Sequence, residues 1–209
     1  MDKAELSMEE LVTLALKIEE RKSDSHRECL EVFDEEGASL GLVPRLICHR
    51  LGLLHKVAYC IITNSAGQML LQTRGDVKGG RYDISVAGHL SPVDSSTEDA
   101  VCRETEEEVG LQVVRDRLLH IATYRRTKKG SLRKPREVNC ELRYLYLYEL
   151  DYHEERSIRE VFENRKEQDA VLDIGWHNIQ EVIHACGEER VADGLYSSLM
   201  HYLLWKLKR

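Results

Sequence analysis

No stretch of this 209-residue chain approaches the roughly 20 apolar residues that a bilayer-spanning helix needs. Its start, MDKAELSMEE, lacks the basic, apolar and small-residue regions of a secretory signal, so the expectation is a cytoplasmic protein with no membrane partner. A C-x-x-C pair is missing too: Cys29, Cys48, Cys60, Cys102, Cys140 and Cys186 are scattered along the chain. That scatter argues against a zinc ribbon or a dense disulfide framework and leaves buried or inert thiols. Positive charge is outnumbered. With 30 Lys and Arg against 37 Asp and Glu the formal net charge is −7, so the overall field does not draw the protein to nucleic acid or anionic membrane. A polyanionic substrate then needs a local basic patch or a bound cation. Internal repeats, low-complexity tracts and an obvious linker are lacking, and with 42% hydrophobic residues the chain suits one domain with extensions.

What is present is a succession of short strands and helices. Residues 7–22, SMEELVTLALKIEERK, have Ser7 and Glu10 at capping-box spacing and Leu11, Leu14, Ala15 and Ile18 at helical intervals; this predicts a helix in an N-terminal extension, 1–28. LEVFDEEGASLGLVPR reads as two strands around a Glu-Glu-Gly turn, closed by Pro44, and HKVAYCIITNSAGQMLLQTR as two more around Asn-Ser-Ala-Gly. GDVKGGRYD is a Gly-rich loop, and RYDISVAGHL a short strand running into a glycine. Helical spacing runs from Thr97 to Val109, with Ala100, Val101 and Thr105 on the buried side and Gly110 as terminator. LQVVRDRLLHIATYRR and VNCELRYLYLYEL read as strands separated by a basic loop, and DYHEERSIREVFENRKEQD as a charged, partly helical, exposed insertion. VLDIGWHNIQEVIHAC is a last strand entering a helix, and the closing helix carries Leu195, Leu199, Tyr202 and Leu203 on one face. The main domain then covers 29–185, and 186–209 form a C-terminal helix packed on it or extending it.

The densest chemistry lies in GHLSPVDSSTEDAVCRETEEEVGL, residues 88–111, which hold five glutamates and two aspartates. On a helix Glu104, Glu107 and Glu108 share one face at i, i+3 and i+4, and Arg103 can pair with Glu107. Like charges so placed cost only about 0.2–0.5 kcal/mol per pair on an exposed helix, so a solvated face is one reading. The other is a site for a hard divalent cation, Mg²⁺ or Mn²⁺, held by convergent carboxylates beside a glycine backbone. Such an ion neutralises a diphosphate and activates water for attack on phosphorus.

Arg103-Glu104-Thr105-Glu106-Glu107-Glu108-Val109-Gly110-Leu111 resembles the second half of the Nudix box, G-x5-E-x7-R-E-U-x-E-E-x-G-U with U a bulky apolar residue, apart from Thr105 at the first U. Gly88 opens the box. Asp94 stands where the first glutamate belongs, but eight residues rather than seven separate it from Arg103, the extra one falling in the loop between Pro92 and Thr97. The resemblance implies an α/β/α sandwich around a mixed β-sheet, here with additional N- and C-terminal helices. It also implies divalent-metal-dependent cleavage of a diphosphate bond in a small nucleoside-diphosphate-linked or related organic diphosphate. By that resemblance Glu107 and Glu108 are metal ligands, Glu104 is a ligand or the base for water, Arg103 orients the carboxylates, and the Gly88 carbonyl completes the metal site.

CHRLGLLHKVAY, LLQTR, YDISVAGHLS and CELRYLYLYEL are similar in order and spacing to the Nudix branch that includes isopentenyl-diphosphate isomerase and its hydrolase relatives. This implies His49, His55, His89 and Glu141 as candidate metal ligands, with Glu141 also a candidate base, and Arg74, Lys78 and His89 as candidate substrate contacts. Two departures disfavour isomerisation. Ala87 replaces the isomerase's catalytic cysteine and can neither give nor take a proton, and Gly75 stands where a basic diphosphate-binding residue is expected, with Lys78 as its substitute. Hydrolysis is therefore preferred, with isomerisation and a non-catalytic, ligand-sensing domain as alternatives. The basic segment 125–136 either draws in a phosphorylated substrate or is a solvated loop, and no nucleic-acid recognition motif accompanies it. The first and last helices are candidate contacts of a homodimer.

Overall fold

The computed structural model describes residues 28–74, 81–129, 138–165 and 171–209. The helix expected over 7–22, Lys78, and most of the basic segment lie outside them. The chain divides into two compact units, Met1–Lys56 with Leu90–Val93 and Arg125–Leu142, and Val57–His89 with Asp94–Tyr124 and Arg143–Arg209. Strands β3 (Leu54–Thr63), β7 (Leu119–Lys129) and β8 (Val138–Glu149) have residues in both.

In the first unit β1 (Cys29–Phe33) and β2 (Ser39–Pro44) form the expected antiparallel hairpin, Leu30 opposite Val43, and β1 pairs with the start of β3, Val32 opposite His55. Pro44 both ends β2 and leads into α1 (Arg45–Leu51), a short helix that the sequence pattern did not announce. Seven residues are too few for helical periodicity to stand out. Its Cys48 packs with Leu30 and Val32 in a small apolar cluster.

The second unit holds β4 (Met69–Arg74), β5 (Arg81–Asp83), β6 (Val86–His89), α2 (Thr97–Glu108), α3 (Tyr152–Glu163), β9 (Val171–His177), α4 (Ile179–Gly187) and α5 (Asp193–Leu207). In the mixed sheet β6 runs antiparallel to β3, with Ala58 opposite Gly88, while β4 runs antiparallel to β5 and β9. Alternation along the strands sorts side chains between two faces. Tyr59, Ile61, Leu71, Leu145 and Leu147 pack with Val182, Leu195, Leu199 and Tyr202 of α4 and α5. From the opposite face Gln72 reaches Glu108, the Tyr146 hydroxyl lies 2.6 Å from that of Thr97, and Tyr148 donates to Glu154. Helices thus cover both sides of the sheet, the layered arrangement expected. Each fully buried Leu or Ile here contributes about 1.5–3 kcal/mol.

Two further segments differ from expectation. Residues 111–118 are not strand: Arg115–Arg117 form a single 3-10 turn, and the Val114 amide donates to the Tyr148 hydroxyl (3.1 Å), which holds the segment as a loop until β7 begins at Leu119. The charged insertion is not merely solvated. Its helix α3 starts with a capping box between Asp151 and Glu154 and buries Ile158 and Phe162, two residues one turn apart on a single face. No helix among the described residues is long and apolar enough to cross a membrane.

Candidate functional site

Helix α2 is fixed at both ends. The Ser96 hydroxyl accepts the Asp99 amide hydrogen (3.1 Å), and Glu98 and Asp99 place negative charge at the positive end of the helix dipole. Ala100, Val101 and Thr105 are buried as expected, and the Thr105 hydroxyl donates to the Val101 carbonyl (2.6 Å), which lets a polar residue occupy an apolar position. Past the helix Gly110 has φ +80°, and a Cβ there would lie 2.2 Å from the Val161 carbonyl oxygen of α3. Only glycine meets both conditions.

Arg103 organises the exposed end of the cluster. Its Nε and Nη2 donate to the two oxygens of Asp94 (3.1 and 2.9 Å), Nη1 donates to Glu104 (2.8 Å) and Glu107 (3.0 Å), and Nη2 also donates to the His89 carbonyl (3.0 Å). Hydrogen bonding to Asp94 is the largest influence on the guanidinium. Burial opposes it, Glu104 adds to it, and the net effect raises the pKa above its ordinary value, so Arg103 stays charged throughout the working pH range. The Asp94 side chain is only 4% exposed, and the paired guanidinium compensates the burial of its charge.

Glu104 and Glu108 are held by the sheet. A Cβ on Gly88 would fall 1.9 Å from the Glu104 carboxyl carbon, so the absence of a side chain at 88 is what lets that carboxylate lie against the β6 backbone. Glu108, 5% exposed, accepts on Oε2 from the Gln72 amide (2.9 Å) and the Ala87 backbone N–H (3.3 Å). One guanidinium among the carboxylates of Asp94, Glu104, Glu107 and Glu108 leaves the cluster strongly negative. Its donors are all oxygens, and the glycine leaves open backbone beside them. This donor chemistry fits a hard divalent cation of the Mg²⁺ or Mn²⁺ type and does not suit a thiophilic metal.

Residues 53–197 match the family model described as NUDIX domain. The chain belongs to the Nudix family. Nudix hydrolase 3 of Arabidopsis thaliana is 38% identical over 94 residues, 43% of this chain and 12% of that protein. An isopentenyl-diphosphate Delta-isomerase of Burkholderia multivorans is 34% identical over 86 residues, 40% of this chain and 48% of that protein. The chain therefore spans a small part of the plant relative and about half of the isomerase. The crystal structure of DR0079 from Deinococcus radiodurans superposes with a TM-score of 0.58 at 16% identity, covering 84% of this chain and 98% of that one, which is a likeness of fold. Both sides of the expected branch, hydrolase and isomerase, are represented among these Nudix relatives.

The Nudix-box residues Gly88, Asp94, Arg103, Glu104, Glu107 and Glu108 all lie in the second unit, where hydrogen bonds from Arg103 connect Asp94, Glu104 and Glu107. Asp94, doubtful from its spacing, is the bidentate partner of Arg103. His89 enters this constellation through its backbone carbonyl. Arg74 ends β4 opposite Arg81 in the ladder. Glu141, His49 and His55 belong to the first unit. There the His49 and His55 ring centroids are 5.2 Å apart, His55 Nδ1 lies 2.9 Å from the Leu53 carbonyl and 3.2 Å from the Cys48 sulfur, and Glu141, 4% exposed, accepts from Asn139. Burial first, then Cys140 and Glu141, push the Cys48 thiol up to about 12, so it is not a ready nucleophile. The basic segment does not begin as a loop: residues 125–129 continue β7, and Arg125 pairs with Glu35. Gln72 was missed altogether. The one available signal was a carboxamide directly after the apolar run Met69-Leu70-Leu71, where an unbonded amide is costly if buried.

Proposed function

We propose that the protein is a divalent-metal-dependent hydrolase that cleaves a diphosphate bond in a small nucleoside-diphosphate-linked or related organic diphosphate. The observation that carries this reading is the cluster of carboxylates gathered on one face of α2 by the Arg103 guanidinium and set against Gly88. Glu104, Glu107 and Glu108, with the Gly88 carbonyl, would hold Mg²⁺ or Mn²⁺. The ion, when bound, neutralises charge on the diphosphate and acidifies a water molecule. Arg103 keeps the carboxylates converged, Glu104 is a ligand or the base that accepts a proton, and Glu141 is carried over from the resemblance as a further candidate ligand or base. Arg74, Lys78 and His89 contact the substrate.

Isomerisation of a prenyl diphosphate is the weaker reading despite the isomerase relatives. The methyl group of Ala87 packs on the apolar core of the second unit and cannot transfer a proton. The test is a screen of the protein with Mg²⁺ and then Mn²⁺ against nucleoside di- and triphosphates, nucleotide sugars including ADP-ribose, dinucleoside polyphosphates and prenyl diphosphates. We expect a phosphorylated product from at least one class, lost in a folded Glu107→Gln variant, and no dimethylallyl diphosphate from isopentenyl diphosphate. Wild-type turnover in Glu107→Gln would sink the proposal. Tight ligand binding with no turnover under either metal would replace it with a ligand-sensing role.

A further inference from the structure

We infer that Gln72, on β4, is a positioning residue for Glu108, aiming one of the carboxylates that would hold the metal; this rests on the hydrolase reading above. Gln72 is 1% exposed and follows three buried apolar residues. A carboxamide there costs about 1–3 kcal/mol unless its hydrogen bonds are made. They are made in a directed way. One Nε2 hydrogen goes to the Ser85 carbonyl (2.7 Å) and the other to Glu108 Oε2 (2.9 Å). The two hydrogens of an amide lie in one plane at a fixed angle, so anchoring the first sets the direction of the second.

The anchor is itself clamped. The Ser85 hydroxyl donates to the Leu70 carbonyl (2.5 Å) and accepts from the Ile62 amide (2.8 Å), which ties the Ser85 segment to β3 and β4. The line from sheet to Ser85 to Gln72 to Glu108 is therefore built on rigid backbone, and the Ala87 N–H adds a second donor to the same carboxylate oxygen. The choice of residue matters electrostatically. A lysine at 72 would put a positive charge beside the carboxylate and weaken its attraction for a cation, whereas an ionised glutamate would have no hydrogen to donate. The neutral amide donates without adding charge. A partner that orients a metal-holding carboxylate typically changes metal affinity 10- to 100-fold when removed.

The test measures Mn²⁺ binding to the purified protein by electron paramagnetic resonance, with thermal melts to establish folding and no substrate required. Gln72→Met keeps the volume and removes the donor; Mn²⁺ affinity is expected to fall by about 10- to 100-fold. Because the effect acts through Glu108, the double variant Gln72→Met/Glu108→Gln should bind no more weakly than Glu108→Gln alone. Should Gln72→Met fail to fold, Gln72→Asn, which keeps a buried amide but draws it back by one methylene, is expected to show the same loss. Affinity within twofold of wild type in the folded Gln72 variant, with Glu108→Gln impaired, overturns the inference and leaves the hydrolase reading standing. Unchanged affinity in Glu108→Gln as well overturns both. Additive losses in the double variant would make Gln72 a general structural residue and likewise overturn the inference.

Discussion

Arginine carries five N–H donors, and at position 103 each has an acceptor: two on Asp94 and one each on Glu104, Glu107 and the His89 carbonyl. No lysine can reproduce that fork, so Arg103→Lys, although it keeps the charge, should lower metal affinity or turnover by about 10- to 100-fold in a protein that still folds; near-wild-type values would show that charge alone suffices. Gly88 makes a complementary case. The atoms that a new Cβ would meet belong to the end of the Glu104 side chain, which can swing away. Gly88→Ala is therefore expected to melt close to wild type yet bind Mn²⁺ more weakly, and a large fall in melting temperature would contradict this. At this scale the sequence was legible where spacing on a helix dictates convergence, as for Glu104, Glu107 and Glu108. It was illegible where a residue's meaning depends on what lies across the sheet. Gln72 and Glu108 are 36 positions apart, and no local pattern joins them.

Among the elements, α2 was read almost to the residue because Ala100, Val101 and Thr105 recur at helical spacing and Gly110 follows them; the structure adds the Ser96 cap in front. The cap can be weighed. Ser96→Ala should cost about 1 kcal/mol of stability in chemical denaturation, with metal affinity little changed because Glu104, Glu107 and Glu108 lie toward the other end of the helix; a loss of binding without a loss of stability would mean that Ser96 acts on the site. Elements with weaker signals were misjudged. Helix α1 has only seven residues, and the apolar alternation of Leu111-Gln112-Val113-Val114 suggested a strand that the hydrogen bond from Val114 to Tyr148 replaces with a loop. The insertion that becomes α3 is helical as expected but not wholly exposed, because Ile158 and Phe162 give it a buried face that its charged composition hides.

At the scale of the whole molecule, stability should depend on pH in part through His201, whose ring stacks on Tyr124 with centroids 3.9 Å apart. Burial holds its pKa below the ordinary 6.5. A histidine depressed in the folded state binds its proton more readily when unfolded, so stability is full above about 6.5 and is lost as pH falls from there through the folded value. Thermal melts between pH 7.5 and 5 should therefore fall more steeply for wild type than for His201→Phe, and parallel curves would remove His201 from the account. The layered α/β/α architecture was legible as a whole because the alternating strands and the box helix point to it together. The box loop, longer by one residue, has a consequence beyond this chain. Asp94 still closes on Arg103 across the added residue, so the insertion leaves that contact intact while it breaks a pattern that counts positions. A query for an arginine gripping a buried carboxylate and bridging two helical glutamates would retrieve such variants, and it would sort distant homologues by contact rather than by arithmetic.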